Sequence, residues 1–168
     1  ALAAVALGNF YYFAAAIFGM GVLLALDPVI SQAVGAQDDV AVARAVQRGF
    51  FISLLLTVLA SALLPTAGFV LAALQQPAEV VPLAHTYVIG TMPGVAPFFL
   101  FVVLRQTLQA MHHTRAIVIT IVVANLANAL INWMLIFGKL GAPALGVLGA
   151  AIATSISRWI MFFLLALL

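Results

Sequence analysis

Five apolar runs dictate what this chain can become, because each is long enough to cross a hydrocarbon layer about 30 Å thick. They extend from about Ala3 to Leu26, Phe50 to Leu74, Leu83 to Leu104 and Ala116 to Phe137, and from about Gly146 onward. The supply of charge agrees. Hydrophobic residues make up 67% of the chain and charged residues 6%, where a soluble domain is roughly a quarter charged. There is too little polar surface to clothe a soluble core. The expected fold is all-α: a polytopic helical membrane protein of about five transmembrane helices, one domain over residues 1–168.

Several function classes drop out. With no cysteine, disulfides and thiolate metal sites are excluded. The formal charge of +2 reflects a few arginines at helix ends, and no aromatic–basic interleaving suggests nucleic acid. There is no phosphate-cradling glycine loop with lysine, no Gly-x-Ser-x-Gly elbow and no His-Glu-x-x-His, so an enzyme and a bound cofactor are not expected. His112 and His113 are adjacent and project in different directions. Like His85, they suit the headgroup zone. The chain opens ALAAVALG without a methionine or a basic leader and stops inside LLALL, as expected of a piece of a longer protein.

Along the chain, Asp27-Pro28 must kink the first helix or end and restart it. Gln37 to Gly49 is wet, with Asp38 or Asp39 as a helix cap and Arg44 and Arg48 one turn apart. Pro65 predicts a loosening of the second span. Gly90, Pro93, Gly94 and Pro97 predict an irregular third span, tolerated where protein or water covers the backbone. Arg105 to Arg115 reads as a basic loop, and Gly138 to Pro143 as a tight polar turn. The last span carries Gly146, Gly149, Ala150, Ala153, Thr154 and Ser157, small residues that allow close helix packing. Arg44, Arg48, Arg105 and Arg115 fall on one side, and Lys139 with Glu79 on the other. The excess of basic residues places 37–49 and 105–115 in the cytoplasm.

The polar residues inside the spans carry the functional question. Asn125, Asn128 and Asn132 lie three and four residues apart, on one stripe of a helix. One reading is interhelical glue, worth about 1 kcal/mol per amide. The other is a cation or proton site: amide oxygens suit a hard cation such as Na⁺, or hold a carboxylate from another helix. Asn does not titrate near neutral pH, so it is not the proton carrier. Asp27 is the only acid within a span, about 12 Å from the wet loop if the helix continues. It reads either as a cap at a helix break or as a functional acid at depth. Arg158, well inside its span, needs a partner, and Asp27 is the expected one. Tyr11, Tyr12, Tyr87, Trp133 and Trp159 suit belt or packing roles. Tyr11 and Trp133 are also candidates to line a cavity for an organic cation.

GMGVLLALDPVISQAVGAQ followed by ARAVQRG resembles the second helix and first cytoplasmic loop of MATE (multidrug and toxic compound extrusion) transporters. LRQTLQAMHHTRAIVIT resembles their next cytoplasmic loop, and NLANALINWMLIFGKLGAPALGVLGAAIATSISRW their fifth and sixth helices. The resemblance implies a partial six-helix lobe: helices two to six of the amino-terminal half of a twelve-helix transporter, its first helix and second lobe outside this chain. It implies bacterial inner-membrane efflux of small, amphipathic, often cationic compounds, driven by inward H⁺ or Na⁺. The implied partners are the lipid bilayer, those compounds and the remaining helices. In many prokaryotic members the first helix carries a proton-taking acid. Asn128 and Asn132, with Asn125 beside them, match the polar positions around it; some members have Asp where this chain has Asn132. Asp27, Pro28, Gln32 and Arg158 are expected in a structural or gating network near the cytoplasmic side. Two alternatives stand: a lipid-linked sugar flippase of the wider superfamily, and a non-transporting membrane scaffold subunit.

Overall fold

Three prolines decide where the long helices break. A computed structural model describes residues 2–168. The first stretch is helix α1 (Leu2–Leu24), a two-residue turn, and α2 (Asp27–Gly35). Pro28 falls in the first turn of α2, where its missing N–H deprives no carbonyl of a partner. The chain therefore stops and restarts rather than kinking. Leu26 occupies the cap position, and the exposed Asp27 follows it in the first turn, where the helix dipole favours a carboxylate.

The second stretch is α3 (Asp39–Leu63), a 3₁₀ turn at Leu64–Thr66 containing Pro65, and α4 (Ala67–Ala73). The third is α5 (Val81–Thr91), a 3₁₀ turn at Met92–Gly94 containing Pro93, and α6 (Val95–Ala110). The last two are unbroken: α7 (Thr114–Phe137) and α8 (Val147–Leu167). Among the described residues, five stretches are long and apolar enough to cross a membrane.

One wet segment starts a helix as its cap residues predict, and the other is more helical than expected. Asp38 caps α3, its Oδ1 accepting from the Ala41 N–H at 2.9 Å. Arg44 and Arg48 are therefore on the first turns of α3, as the cap and their one-turn spacing predict. Arg105 is inside α6 and Arg115 in the first turn of α7, leaving only residues 111–113 as a turn. Outside that short turn nothing in 105–115 breaks a helix, and long arginine stems lie well along a helix surface.

The main core is shared by α1, α3, α5 and α6: Tyr12, Leu23, Leu56, Val88, Phe99 and Val103 are all buried in it. α8 packs against α5, α6 and α7. α7 stands apart, held chiefly by α8 with a smaller contact to α6, and exposes Val118, Val122, Leu126 and Leu130. The α7–α8 seam is a backbone contact. A β-carbon on Gly149 would come within 2.6 Å of the Leu135 carbonyl oxygen, so only glycine fits there.

Candidate functional site

Ile117, Thr120 and Ala124 are the buried face of α7, turned towards its neighbours. At 100° per residue, Asn128 lies about 40° round from Ala124, Asn132 about 80° and Asn125 about 100°. The amide stripe thus leans out of the seam to one side. Burial follows the angle: Asn128 and Asn132 are half-buried and Asn125 is exposed. The hydrogen bonds recorded for the three amides run along α7 itself. Asn132 Nδ2 donates to Asn128 Oδ1 at 2.8 Å, and Asn125 Nδ2 to the Ile121 carbonyl at 2.8 Å.

The side to which the stripe leans is fixed by Ile136, one turn beyond Asn132. Ile136 and Val5 of α1 both pack on the cluster of Tyr87, Val147, Ala150 and Ala151. Between the α1 and α7 walls lies a cavity of about 330 Å³, lined by Leu2, Val5, Ile136, Phe137, Gly146, Val147 and Ala150. It is the end of a groove with α1 and α7 as walls and α8 as floor. Further along the floor, Thr154 and Arg158 follow Ala150 at one-turn intervals. Thr154 Oγ1 donates to the Ala150 carbonyl at 2.9 Å and lies 3.5 Å from the Tyr87 hydroxyl. Asn128, Tyr12 and Arg158 are each about 15 Å along their helices from this end, so they share a level.

Arg158 is not beside Asp27. Its guanidinium carbon lies 3.9 Å from the centre of the Tyr12 ring and 5.3 Å from that of Phe98. Asp27 is fifteen residues beyond Tyr12, about 22 Å along the chain's rise, past the reach of any side chain. The expected Asp27–Arg158 partnership is therefore corrected. Aromatic faces, not an acid, receive the guanidinium, and Nη1 is sealed from solvent without an acceptor. Asp27 instead borders a cleft of about 350 Å³ with Ser31, Gln109 and His112. Pro28 and Gln32 are exposed on the same short helix.

Arg158 belongs to a latch that α8 places over the break in the third stretch. Pro97 has no N–H to offer the carbonyl of Pro93, one turn earlier. The Trp159 indole supplies the donor, Nε1 to the Pro93 oxygen at 3.1 Å. Ser155 Oγ donates to the Gly90 carbonyl at 3.0 Å. Between them, the Arg158 stem passes so near Gly94 that a β-carbon there would be 3.0 Å from Cδ. The Pro65 break is covered likewise. The Tyr11 hydroxyl lies 2.7 Å from Thr66 Oγ1 and 3.3 Å from the Leu63 carbonyl, and His85 Nε2 is 3.2 Å from the Pro65 carbonyl.

Tyr11, a candidate cavity residue by sequence, thus faces the α3–α4 break, and Trp133 is exposed on α7. Sequence reasoning singled out neither the Tyr12–Phe98 seat of Arg158 nor the Ser155–Trp159 latch. The prolines and the one-turn spacing of 155 and 159 were the available signals.

Residues 1–134 match the MatE family. Multidrug resistance protein NorM of Aliivibrio fischeri is 32% identical over 166 residues, covering 99% of this chain and 36% of that protein. Multidrug resistance protein MdtK of Yersinia pestis is 33% identical over 168 residues, covering 98% of this chain and 36% of that protein. The chain therefore spans little more than a third of the length of these relatives. A solved inward-facing conformation of a multidrug resistance MATE family transporter of the MOP superfamily superposes with a TM-score of 0.81 at 22% identity, over 97% of this chain and 36% of that one. That likeness is one of fold.

Proposed function

The chain belongs to the MATE family, and from that premise we propose that it is the larger part of the amino-terminal lobe of a bacterial inner-membrane efflux transporter. The transporter exchanges amphipathic organic cations outward for H⁺ or Na⁺ moving inward. The relatives' names, multidrug resistance proteins, support the cargo class. The coupling site is the groove between α1 and α7, with Asn128 and Asn132 as its neutral side and Asn125 at its margin.

One observation carries this reading. Asn128 and Asn132 bond to each other along α7, and by helical angle they lean to the side of α7 on which Ile136, one turn beyond Asn132, lines the cavity between α1 and α7. Glue between helices would spend those bonds on a neighbouring helix. Here one amide of the pair keeps acceptor capacity, since Asn128 Oδ1 takes a single bond from Asn132 and Asn132 Oδ1 is left for a cation or an acid. The titrating acid is supplied by the helix that precedes α1 in the whole transporter, seated in this groove. The basic segments around 37–49 and 105–115 face the cytoplasm. There Asp27 borders a cleft and takes part in gating with Pro28 and Gln32 of the same short helix. Trp133, exposed beside Asn132, faces what the rest of the transporter places against α7.

A flippase for lipid-linked sugars would need cationic groups open to a pyrophosphate. Arg158, the only base deep in a span, is stacked on Tyr12 with Nη1 sealed, which favours the efflux reading.

The test is dye efflux by the full-length transporter in liposomes under imposed H⁺ or Na⁺ gradients. Asn128→Ala and Asn132→Ala are expected to raise the half-saturating concentration of the driving cation about tenfold, the loss of a buried polar ligand. Intact gradient-driven efflux with only a lowered melting temperature would sink the site assignment.

A further inference from the structure

We propose that Asn9 is a further amide of this site, facing Asn128 and Asn132 from the opposite wall of the groove; the inference rests on the groove being the coupling site.

The sides of α1 are assigned by what they touch. Tyr11 reaches Thr66, and Ala15 and Phe18 line a small cavity with Leu56 and Leu59, so that side faces α3. Gly8 lies against Tyr87 and the Ala84 carbonyl, so that side faces α5. Leu2 and Val5 line the groove. At 100° per residue, Asn9 falls about 20° from Leu2 and about 40° from Val5. It is on the groove side and on neither of the others.

Its level is fixed as well. α1 and α7 run in opposite directions, so moving inward adds residues on α1 and subtracts them on α7. Val5 and Ile136 mark one level by packing on a common cluster. One turn inward, about 6 Å, brings Asn9 on one wall and Asn132 on the other. Asn9 is exposed, about 10 Å from the start of α1. An amide at that depth is costly against lipid tails and suits a wet or ligand-bearing groove.

The chemistry of the walls then narrows. Among the described residues no three His, Asp or Glu side chains gather. What this chain offers a cation at this level is neutral oxygen: the amides of Asn9 and Asn132 and the Thr154 hydroxyl, with Asn128 a turn further along. Neutral amide and hydroxyl oxygens hold a hard monovalent cation weakly enough for it to leave again. Asn9 is the member on the far wall, so a cation bound there ties α1 to α7.

The test uses the full-length transporter in liposomes, with Na⁺ and H⁺ gradients imposed separately. Asn9→Leu is expected to raise the half-saturating concentration of the driving cation about fivefold, with Asn9→Ser in between. Asn9→Asp is expected to lower it and to give efflux a new pH dependence. Asn128→Ala reports on the underlying reading. A shift with Asn128→Ala and none with Asn9→Leu overturns the role of Asn9 and leaves the coupling site standing. No shift with either overturns both. Should Asn9→Leu fail to reach the membrane, Asn9→Asp decides, and an unchanged cation dependence overturns the proposal.

Discussion

The guanidinium carbon of Arg158 lies 3.9 Å from the centre of the Tyr12 ring, joining α8 to α1 at mid-depth. A desolvated cation over an aromatic face is worth about 2 kcal/mol. Tyr12→Phe keeps the face and is expected to leave the melting temperature nearly unchanged, all the more because the Tyr12 hydroxyl has no partner to lose. Tyr12→Leu is expected to lower it by several degrees. Thermal unfolding in detergent or nanodiscs reads the difference, and equal effects of the two variants would remove the cation–π account.

Asp27 and Arg158 are too far apart to pair, and they are expected to act separately. The helix rise of about 22 Å between Asp27 and the level of Tyr12 is beyond the range at which neighbours couple. Efflux losses from Asp27→Asn and Arg158→Gln are expected to combine additively in free energy, within about 0.5 kcal/mol. A clear interaction term in the double mutant would mean a connection the geometry does not provide.

The Trp159 indole stands in for the N–H that Pro97 lacks. Trp159→Phe is expected to cost about 1–3 kcal/mol, since it leaves the Pro93 carbonyl without its donor. In a Pro97→Ala background the backbone regains a donor, and the same substitution is expected to cost less. Thermal or denaturant unfolding of the four variants gives the coupling; strict additivity would refute the substitution of indole for amide.

Gly149 sets how near α8 approaches α7. Gly149→Ala places a carbon 2.6 Å from the Leu135 oxygen, so the helices must separate. A loss of about 1–3 kcal/mol is expected. Because α7 is held chiefly by α8, coupling is expected to suffer with stability. A cysteine pair across the seam, scored by cross-linking, would register the separation, and unchanged cross-linking would count against it.

Asn132→Asp would place a titratable oxygen beside Asn128. The ionised carboxylate accepts from Asn128 Nδ2, so cation affinity is expected to rise above the carboxylate's pKa and to fall as pH drops through it. Cation dependence of efflux measured at several pH values checks the sign; a flat profile would place Asn132 outside the coupling path.

The number of spans, the prolines as breakpoints and the small face of α8 were all legible, because each depends on local chemistry that acts wherever the chain goes. Asn128 and Asn132 were legible as a stripe, but their angle to the buried face of α7 was not, since that depends on which neighbour α7 acquires. The placement of Arg158 failed for a related reason. Asp27 keeps its expected depth of about 12 Å from Gly35 along α2, but α8 places Arg158 at the level of Tyr12, fifteen residues earlier in the first stretch. Its aromatic seat came from Tyr12 and Phe98, residues that sequence alone assigns to ordinary packing. The Arg105–Arg115 segment was misjudged as a loop because polar composition does not stop a helix in which no residue breaks it.

The bond from Asn132 to Asn128 also bears on how the protein is made. A helix entering the bilayer during synthesis does so before all its neighbours exist, when a bare amide has only lipid around it. In α7 the amides of Asn125 and Asn132 donate within the helix, to Ile121 and Asn128. α7 therefore meets part of its own polarity as it enters the membrane, before α8 arrives to pack against it.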